Sequence, residues 1–137
     1  MRKYAPLLLL FVFLNSCSGE SEVNLIDPDL DGQWTLTEAF CFCFFPDDFN
    51  FAVHQLLINV EENQVTVSDN PNSFFLIAPG TYTLSGERAV LTFNGAIQYQ
   101  YRIDGDRLEL TKVDDPNISD DELTLVYVRG GGFGTSF

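Results

Sequence analysis

Hydrophobic and polar residues alternate with a period of two along most of the chain after residue 32, and this pattern is typical of β-strands that bury one face. It is clearest where Ile97, Tyr99, Tyr101 and Ile103 occupy one face and the polar residues between them occupy the other. No long stretch shows the period of an amphipathic helix. The alternating runs are short and are separated by turn-forming residues. Together they predict eight strands, over residues 33–42, 54–60, 64–68, 80–85, 88–93, 96–103, 106–113 and 122–129.

The connections between several of these strands are short, which favours antiparallel neighbours in chain order. Asn94-Gly95 and Asp104-Gly105 are strong signals for two-residue hairpin loops, and Glu61-Glu62-Asn63 and Ser85-Gly86-Glu87 also have turn chemistry. An open sheet of eight such strands would expose its apolar face and two edges, whereas a closed barrel covers both. The sequence therefore predicts an all-β fold, an eight-stranded antiparallel up-and-down barrel.

The N-terminus has the three parts of a secretory signal. Arg2 and Lys3 precede an apolar run, 7–14, that is too short to span a bilayer, and Asn15 and Ser16 follow it. Residues 14–17 resemble the bacterial lipobox, in which the Cys is acylated before the signal is removed. We therefore expect residues 1–16 to be a lipoprotein signal peptide and Cys17 to carry lipid such as palmitate, anchoring the protein to the outer membrane of a bacterial envelope. The alternative is an ordinary secretory cleavage site.

The charge of the chain excludes one class of function. There are 20 acidic and 7 basic residues, a formal net charge of −13, so the clustered Lys and Arg that grip nucleic acid phosphates are missing. Removal of residues 1–16 takes away two positive charges and leaves −15. Residues 17–31 are acidic and poor in core formers, and we interpret them as a tether. The single domain is then 32–129, followed by a Gly-rich tail over 130–137.

The first and last strands of the predicted barrel carry a known signature. Gly32-Gln33-Trp34 opens the first strand and resembles the G-x-W motif of lipocalins, and Arg129 ends the last strand where lipocalins carry an Arg that packs across that Trp. The short domain is most similar to the small lipocalin-like domains of lipoproteins from Bacteroidota. The resemblance implies that Gly32, Trp34 and Arg129 close the barrel, since a guanidinium over an indole ring contributes about 0.5 to 2 kcal/mol.

A calcium-loop pattern overlaps the start of this barrel. Asp27, Asp29, Asp31, Gly32 and Glu38 fit the spacing D-x-D-x-D-G-x5-E. An EF-hand needs flanking helices, however, and the positions after the Gly are predicted to be a strand. The competing interpretation is an acidic tether that meets the barrel, and no other cofactor or metal is expected.

Cys41 and Cys43 are the remaining thiols once Cys17 is acylated. Residues two apart in an extended strand have Cα atoms about 6.6 Å apart, at the outer limit for a disulfide, so a bond would need a local kink. An oxidising envelope favours that bond. Reduced thiols, an intermolecular bond and a soft metal site with His54 are the alternatives.

The chain contains more aromatic residues than the buried faces of alternating strands require. They are either core fillers of a small barrel or the lining of an apolar site at its mouth. The first cluster comprises Phe40, Phe42, Phe44, Phe45, Phe49 and Phe51, and the second is Phe74 and Phe75. The possible ligand-lining residues are Phe40, Phe42, Phe74, Phe75, Tyr99 and Tyr101.

The single His leaves no Ser-His-Asp triad, and no catalytic constellation is predicted. We expect a lipid-anchored envelope barrel, not an enzyme, that binds a small apolar molecule or an envelope protein. A structural, adaptor or inhibitor lipoprotein with a filled barrel, acting through its surface, is the alternative hypothesis. A calcium-stiffened module is the third.

Overall fold

The computed structural model describes residues 25–69, 77–113 and 122–130. They form eight strands and two short 3-10 helices. Helix η1 is Pro28–Leu30 and helix η2 is Phe51–Val53. The strands are β1 Gly32–Phe40, β2 Gln55–Asn59, β3 Gln64–Ser68, β4 Gly80–Glu87, β5 Val90–Phe93, β6 Ile97–Asp104, β7 Arg107–Lys112 and β8 Thr124–Arg129.

Each strand pairs antiparallel with the next, and β8 returns to pair with β1. The closing register runs from Trp34 opposite Arg129 to Phe40 opposite Thr124, with an irregularity between Leu36 and Glu38. The prediction of an eight-stranded antiparallel up-and-down barrel is confirmed, and the barrel is lipocalin-like. Within the described residues, no helix has the length and apolarity needed to cross a bilayer.

Three hairpin loops differ from the sequence prediction. Ser85-Gly86-Glu87 is not a turn, because all three residues continue β4 and the loop is Arg88-Ala89, with φ of 45° and 64°. The β6–β7 loop is Gly105-Asp106, one residue later than predicted, since Asp104 pairs with Arg107. Asn94-Gly95 does begin a loop, but Phe93 pairs with Ile97, so the loop has a third residue.

Gly86 misled the turn prediction because it serves another purpose. A Cβ built there would lie 3.0 Å from Ile26 Cγ1 and 3.2 Å from Ile26 Cα. The missing side chain lets the segment before β1 cross closely over β4. The glycine therefore marks a close approach of backbones inside a strand and not a bend.

The up-and-down topology defines two ends of the barrel. The capped end carries the start of β1, the end of β8 and the short β2–β3, β4–β5 and β6–β7 loops. Residues 25–31, including η1, cover this end and bury Ile26 and Leu30. The opposite end, which we call the loop end, carries the longer connections 41–54, 69–79 and 113–123, together with the β5–β6 loop.

Inward-facing side chains fill the space between the two ends. Alternate strand positions are buried as predicted, for example Val65 and Val67 in β3 and Leu108 and Leu110 in β7. Many of these side chains have no surface that a water-sized probe reaches. They are Leu30, Trp34, Leu36, Leu56, Val65, Leu91, Phe93, Leu108, Leu110, Leu125 and Tyr127.

Candidate functional site

At the capped end, Arg129 joins the last strand to the first. Its guanidinium carbon lies 4.2 Å from the centroid of the Trp34 ring, which is fully buried. Its Nη1 donates to the Asp31 carbonyl at 2.7 Å and its Nη2 donates to the Asp29 carbonyl. The indole Nε1 donates to the Leu30 carbonyl at 2.8 Å. Trp34 and Arg129 thus hold η1 over the barrel from both sides of the β1–β8 seam.

Gly32 lets the chain turn from η1 into β1. Its φ is 117°, in the region that L side chains rarely adopt, and a Cβ there would lie 3.4 Å from Arg129 Nη1. The three residues that the sequence signature picks out therefore lie together, at the seam. Their arrangement closes and caps the barrel, and it leaves the Arg129 guanidinium occupied.

The carboxylates of the calcium-loop pattern are not brought together. Asp27 caps η1 by accepting from the Asp29 amide at 2.9 Å, and Asp31 Oδ1 accepts from the Val60 amide at 3.0 Å. Glu38 lies seven residues along β1 from Asp31, about 23 Å away at the usual strand rise. In the described ranges, no group of three or more His, Cys, Asp or Glu side chains could hold a metal ion. The pattern is built into a helix cap and a strand, so its carboxylates are not arranged as a calcium loop.

A chain of polar side chains enters the core near the loop end. His54 is buried, its Nδ1 lies 2.8 Å from Asp69 Oδ2, and its Nε2 lies 3.0 Å from the Tyr127 hydroxyl. The Asp69 carboxylate accepts the Nδ1 proton, so a neutral His54 accepts from the Tyr127 hydroxyl at Nε2. Each buried polar group of these three side chains therefore has a hydrogen-bond partner.

Burial controls the protonation of His54 and Tyr127. It lowers the pKa of His54, although the hydrogen bond and the charge of Asp69 oppose that shift. Burial also raises the pKa of Tyr127 well above its ordinary value, and the nearby Tyr99 and Asp69 add to this shift. Both side chains are neutral near pH 7. His54 is therefore a core histidine with a hydrogen-bond partner at each ring nitrogen, and this network contains no exposed nucleophile.

Asp69 and Tyr127 were not predicted as site residues, although the hairpin register identifies Asp69. Gln55 pairs with Ser68 in the β2–β3 hairpin, so His54 and Asp69 occupy the next opposing positions. Tyr127 could not be found in the same way, because its approach to His54 depends on closure of the barrel between β8 and β1.

Beyond β1, Cys41 and Cys43 form a disulfide with a Cα–Cα distance of 5.0 Å. This distance is shorter than an extended strand gives, since β1 ends at Phe40 and the chain bends at Cys41 and Phe42. His54 is committed to Asp69 and Tyr127, so it does not join the cysteines in a metal site.

Three phenylalanines of this segment face solvent, and we call Phe40, Phe42 and Phe44 the phenylalanine strip. Their exposed fractions are 56%, 95% and 89%. The residues between them, Cys41 and Cys43, are half-buried, so the period of two continues past the end of β1. The strip is the most exposed aromatic surface among the described residues.

A second group of rings supports the strip, and we call Phe45, Phe49 and Phe51 the aromatic base. The three rings contact one another with centroid distances of 4.8 to 5.1 Å, and Phe49 and Phe51 also pack against the core. Edge-to-face and tilted pairs of this kind favour a fixed arrangement. The aromatic base attaches the loop to the barrel.

The six possible ligand-lining residues do not form one pocket. Phe40 and Phe42 face solvent, Tyr99 is buried in the core, and Tyr101 is half-buried beside Asp27 at the capped end, where burial and the Asp27 charge raise its pKa. Phe74 and Phe75, like Cys17, lie outside the described residues.

Basic residues are concentrated at the capped end of the barrel, where they lie among acidic residues such as Glu61 and Asp104. Seven Lys and Arg residues minus Arg2 and Lys3 leave five after position 17, and four of these lie in the strand ends and turn of the capped end. Lys112 is the fifth, at the end of β7. The four at the capped end are Arg88, Arg102, Arg107 and Arg129. Described acidic residues at the loop end include Glu38, Asp47, Asp48, Asp69 and Glu122.

A surface cleft of about 250 Å³ lies on the outer wall of β6 and β7, lined by Arg102, Asp104, Arg107 and Glu109. Arg107 Nη2 and Glu109 Oε1 are 2.8 Å apart. The charges of this cleft alternate in sign and partly neutralise one another. The cleft therefore offers a partner less apolar surface than the phenylalanine strip does.

Comparison of the chain with protein-family models and with curated proteins finds no match.

Proposed function

We propose that the protein is a lipid-anchored lipoprotein of a bacterial envelope, of the small lipocalin-like type found in Bacteroidota. Its barrel serves as a rigid adaptor that binds a partner through its surface and catalyses no reaction. The observation that carries this proposal is the filled interior. The core side chains from Leu30 at the capped end to Leu125 toward the loop end have no surface that a water-sized probe reaches.

A ligand inside this barrel would have to displace those side chains. A typical small-molecule site needs about 300 Å³ or more. Opening that volume in a packed core costs about 7 kcal/mol at roughly 24 cal/mol per Å³ of cavity. This is comparable with the whole stability of a small domain, about 5 to 15 kcal/mol. Surface binding requires no such opening, so it is favoured over the apolar-ligand hypothesis.

The anchor part of the proposal depends on the N-terminal sequence. Its support is the basic start, the short apolar run and the Cys that directly follows Ser16. One acyl chain gives only reversible membrane attachment, so lasting attachment would need the two or three chains of a bacterial lipoprotein. Residues 18–24 would then connect Cys17 to the capped end of the barrel.

Two measurements test the two parts separately. Metabolic labelling with palmitate should mark the wild-type chain and not the Cys17→Ser variant, and a labelled Cys17→Ser variant would contradict the anchor. Native mass spectrometry of the mature chain should show the polypeptide without a stoichiometric small molecule. A one-to-one apolar ligand that persists through purification would contradict the adaptor role.

A further inference from the structure

We propose that the phenylalanine strip is the docking surface of this protein, and that its occupant is a protein partner with an apolar pocket bordered by Lys or Arg. The proposal rests on the proposed function, because it names the surface and the kind of partner that an adaptor barrel would use. It depends on exposure, rigidity, charge and position, taken in turn below.

Two of the three strip residues are far more exposed than an ordinary outward-facing apolar residue. Phe42 and Phe44 are 95% and 89% exposed, whereas the outward-facing Leu57 on the wall of β2 is 55% exposed. Contiguous apolar surface on a soluble domain commonly marks an interaction site, and aromatic anchors carry much of the affinity of protein interfaces. Three exposed aromatic rings within residues 40–44 supply such anchors.

The strip is also held in place before it binds. The Cys41–Cys43 disulfide encloses Phe42 in a ring of three residues, and the aromatic base packs against the core behind it. A rigid surface loses less conformational entropy on binding than a flexible loop does. The strip is therefore a rigid feature of this loop.

Charge around the strip specifies the border of the partner's pocket. Glu38 lies two residues before the strip and Asp47 and Asp48 lie three and four residues after it, while residues 41–54 contain no Lys or Arg. Glu122 adds a further acidic group two residues before Thr124, the residue that pairs with Phe40. An electrostatically complementary partner would present basic side chains around an apolar centre.

The same charges disfavour the two other occupants of such a strip. Anionic lipid headgroups and a second copy of this acidic chain would both be repelled. Residues 17–24, the part of the predicted tether that precedes the cap of residues 25–31, would enter at the capped end and reach at most about 28 Å. The nine residues of β1 span about 30 Å, so the strip projects from the end of the barrel farthest from the tether.

Site-specific photocrosslinking on the full-length chain in its native envelope tests the proposal. A benzophenone amino acid at position 42 should crosslink to one protein, and the same probe at position 57 should not. The crosslinked site on that protein should be an apolar pocket flanked by Lys or Arg. A crosslink to lipid, to a second copy of the chain, or at position 57 alone would overturn the proposal, and so would the absence of a crosslink at position 42.

Binding of the purified partner then gives a quantitative readout. Phe42→Ser should weaken binding at least tenfold, and Leu57→Ser, which removes an exposed apolar side chain elsewhere, should leave it within twofold. The double change Asp47→Asn and Asp48→Asn should weaken binding roughly fivefold and reduce its dependence on salt. Equal effects of Phe42→Ser and Leu57→Ser would overturn the proposal.

A vesicle control separates the membrane alternative. The mature chain with Cys17→Ser, which has no acyl anchor, should not float with vesicles of phosphatidylcholine and phosphatidylglycerol. Flotation that is lost in Phe42→Ser would overturn the protein-partner assignment. The strip experiments could fail while palmitate labels the wild-type chain and the barrel carries no small molecule. That combination would reject this proposal and leave the proposed function intact.

Discussion

The capped end and the loop end of the barrel use their aromatic and charged residues in opposite ways. At the capped end, Trp34 is fully buried, and Arg129 packs on it while donating to carbonyls of the η1 segment. At the loop end, Phe42 is almost fully exposed, and the charged residues nearest to it along the chain, Glu38, Asp47 and Asp48, are acidic. The same residue classes thus close the structure at one end and are left available at the other.

This difference predicts that folding stability depends on the capped end and that partner binding depends on the loop end. Changes at the capped end should lower the free energy of unfolding, because its side chains are packed and hydrogen bonded. Changes in the phenylalanine strip should leave folding alone and affect binding, because nothing in the described part of the chain covers Phe42 and Phe44. The predictions below test that separation, beginning with the largest expected effect.

Trp34→Ala should cause the largest loss of stability. Removing a fully buried large aromatic side chain costs about 3 to 5 kcal/mol, and here it also removes the surface on which Arg129 packs. Urea unfolding of the mature chain measures the effect. A loss below about 1 kcal/mol would mean that the indole is not part of the core.

His54→Gln should lower stability by about 1 to 3 kcal/mol near pH 7, because Asp69 and Tyr127 would lose a buried partner. Burial lowers the pKa of His54 in the folded chain, so the unfolded chain binds more protons between that lowered pKa and about 6.5. Stability due to His54 is therefore complete above about pH 6.5 and declines as the pH falls.

The pH dependence of unfolding checks this sign. The difference in unfolding free energy between wild type and His54→Gln should be largest above about pH 6.5 and smaller at lower pH. A difference that grows on acidification would show that the charged form of His54 is the stabilising one, through its pair with Asp69.

Gly86→Val should destabilise the chain by about 1 to 3 kcal/mol, since the new side chain would collide with the Ile26 backbone and push the cap away from β4. Ser85→Ala, at an exposed neighbouring position of the same strand, is the matched control and should change stability by less than about 0.5 kcal/mol. Similar effects of the two changes would show that residues 25–31 do not pack on β4.

Arg129→Met should cost about 0.5 to 2 kcal/mol. The substitution keeps an unbranched apolar side chain but loses the cation over the indole and the hydrogen bonds to η1. The midpoint of urea unfolding measures it, and an unchanged midpoint would show that the guanidinium adds nothing to closure.

Phe42→Ser should have the smallest effect on folding, within about 0.5 kcal/mol, because the side chain is 95% exposed. The same variant should have the strongest effect on partner binding. A large loss of stability would contradict the division of roles between the two ends.

Local pattern predicted the fold because each strand carries its own evidence. Alternation in β6 and the Asn94-Gly95 signal are read from neighbouring residues, and the G-x-W signature with Arg129 places the two ends together. The prediction went wrong at Gly86, where a glycine serves a contact with Ile26 that is distant in sequence. Local pattern cannot reveal a close approach of this kind.

The candidate site was less predictable, because the proposed docking surface depends on which aromatic residues the fold leaves uncovered. Alternation continues from β1 through Phe40, Phe42 and Phe44, and a strand pattern alone gives equal weight to an inward and an outward face. Tyr99 and Phe42 were interpreted as members of one lining, yet the barrel buries the first and exposes the second. Only the closed register of all eight strands separates them.

The most direct test of the filled barrel is a titration of the mature chain with a fluorescent fatty acid, cis-parinaric acid, read by energy transfer from Trp34, the only tryptophan. We expect no saturable transfer, because the side chains around Trp34 leave no space for an acyl chain. Saturable one-to-one transfer that persists in the Phe42→Ser variant would place a ligand inside the barrel and contradict the account.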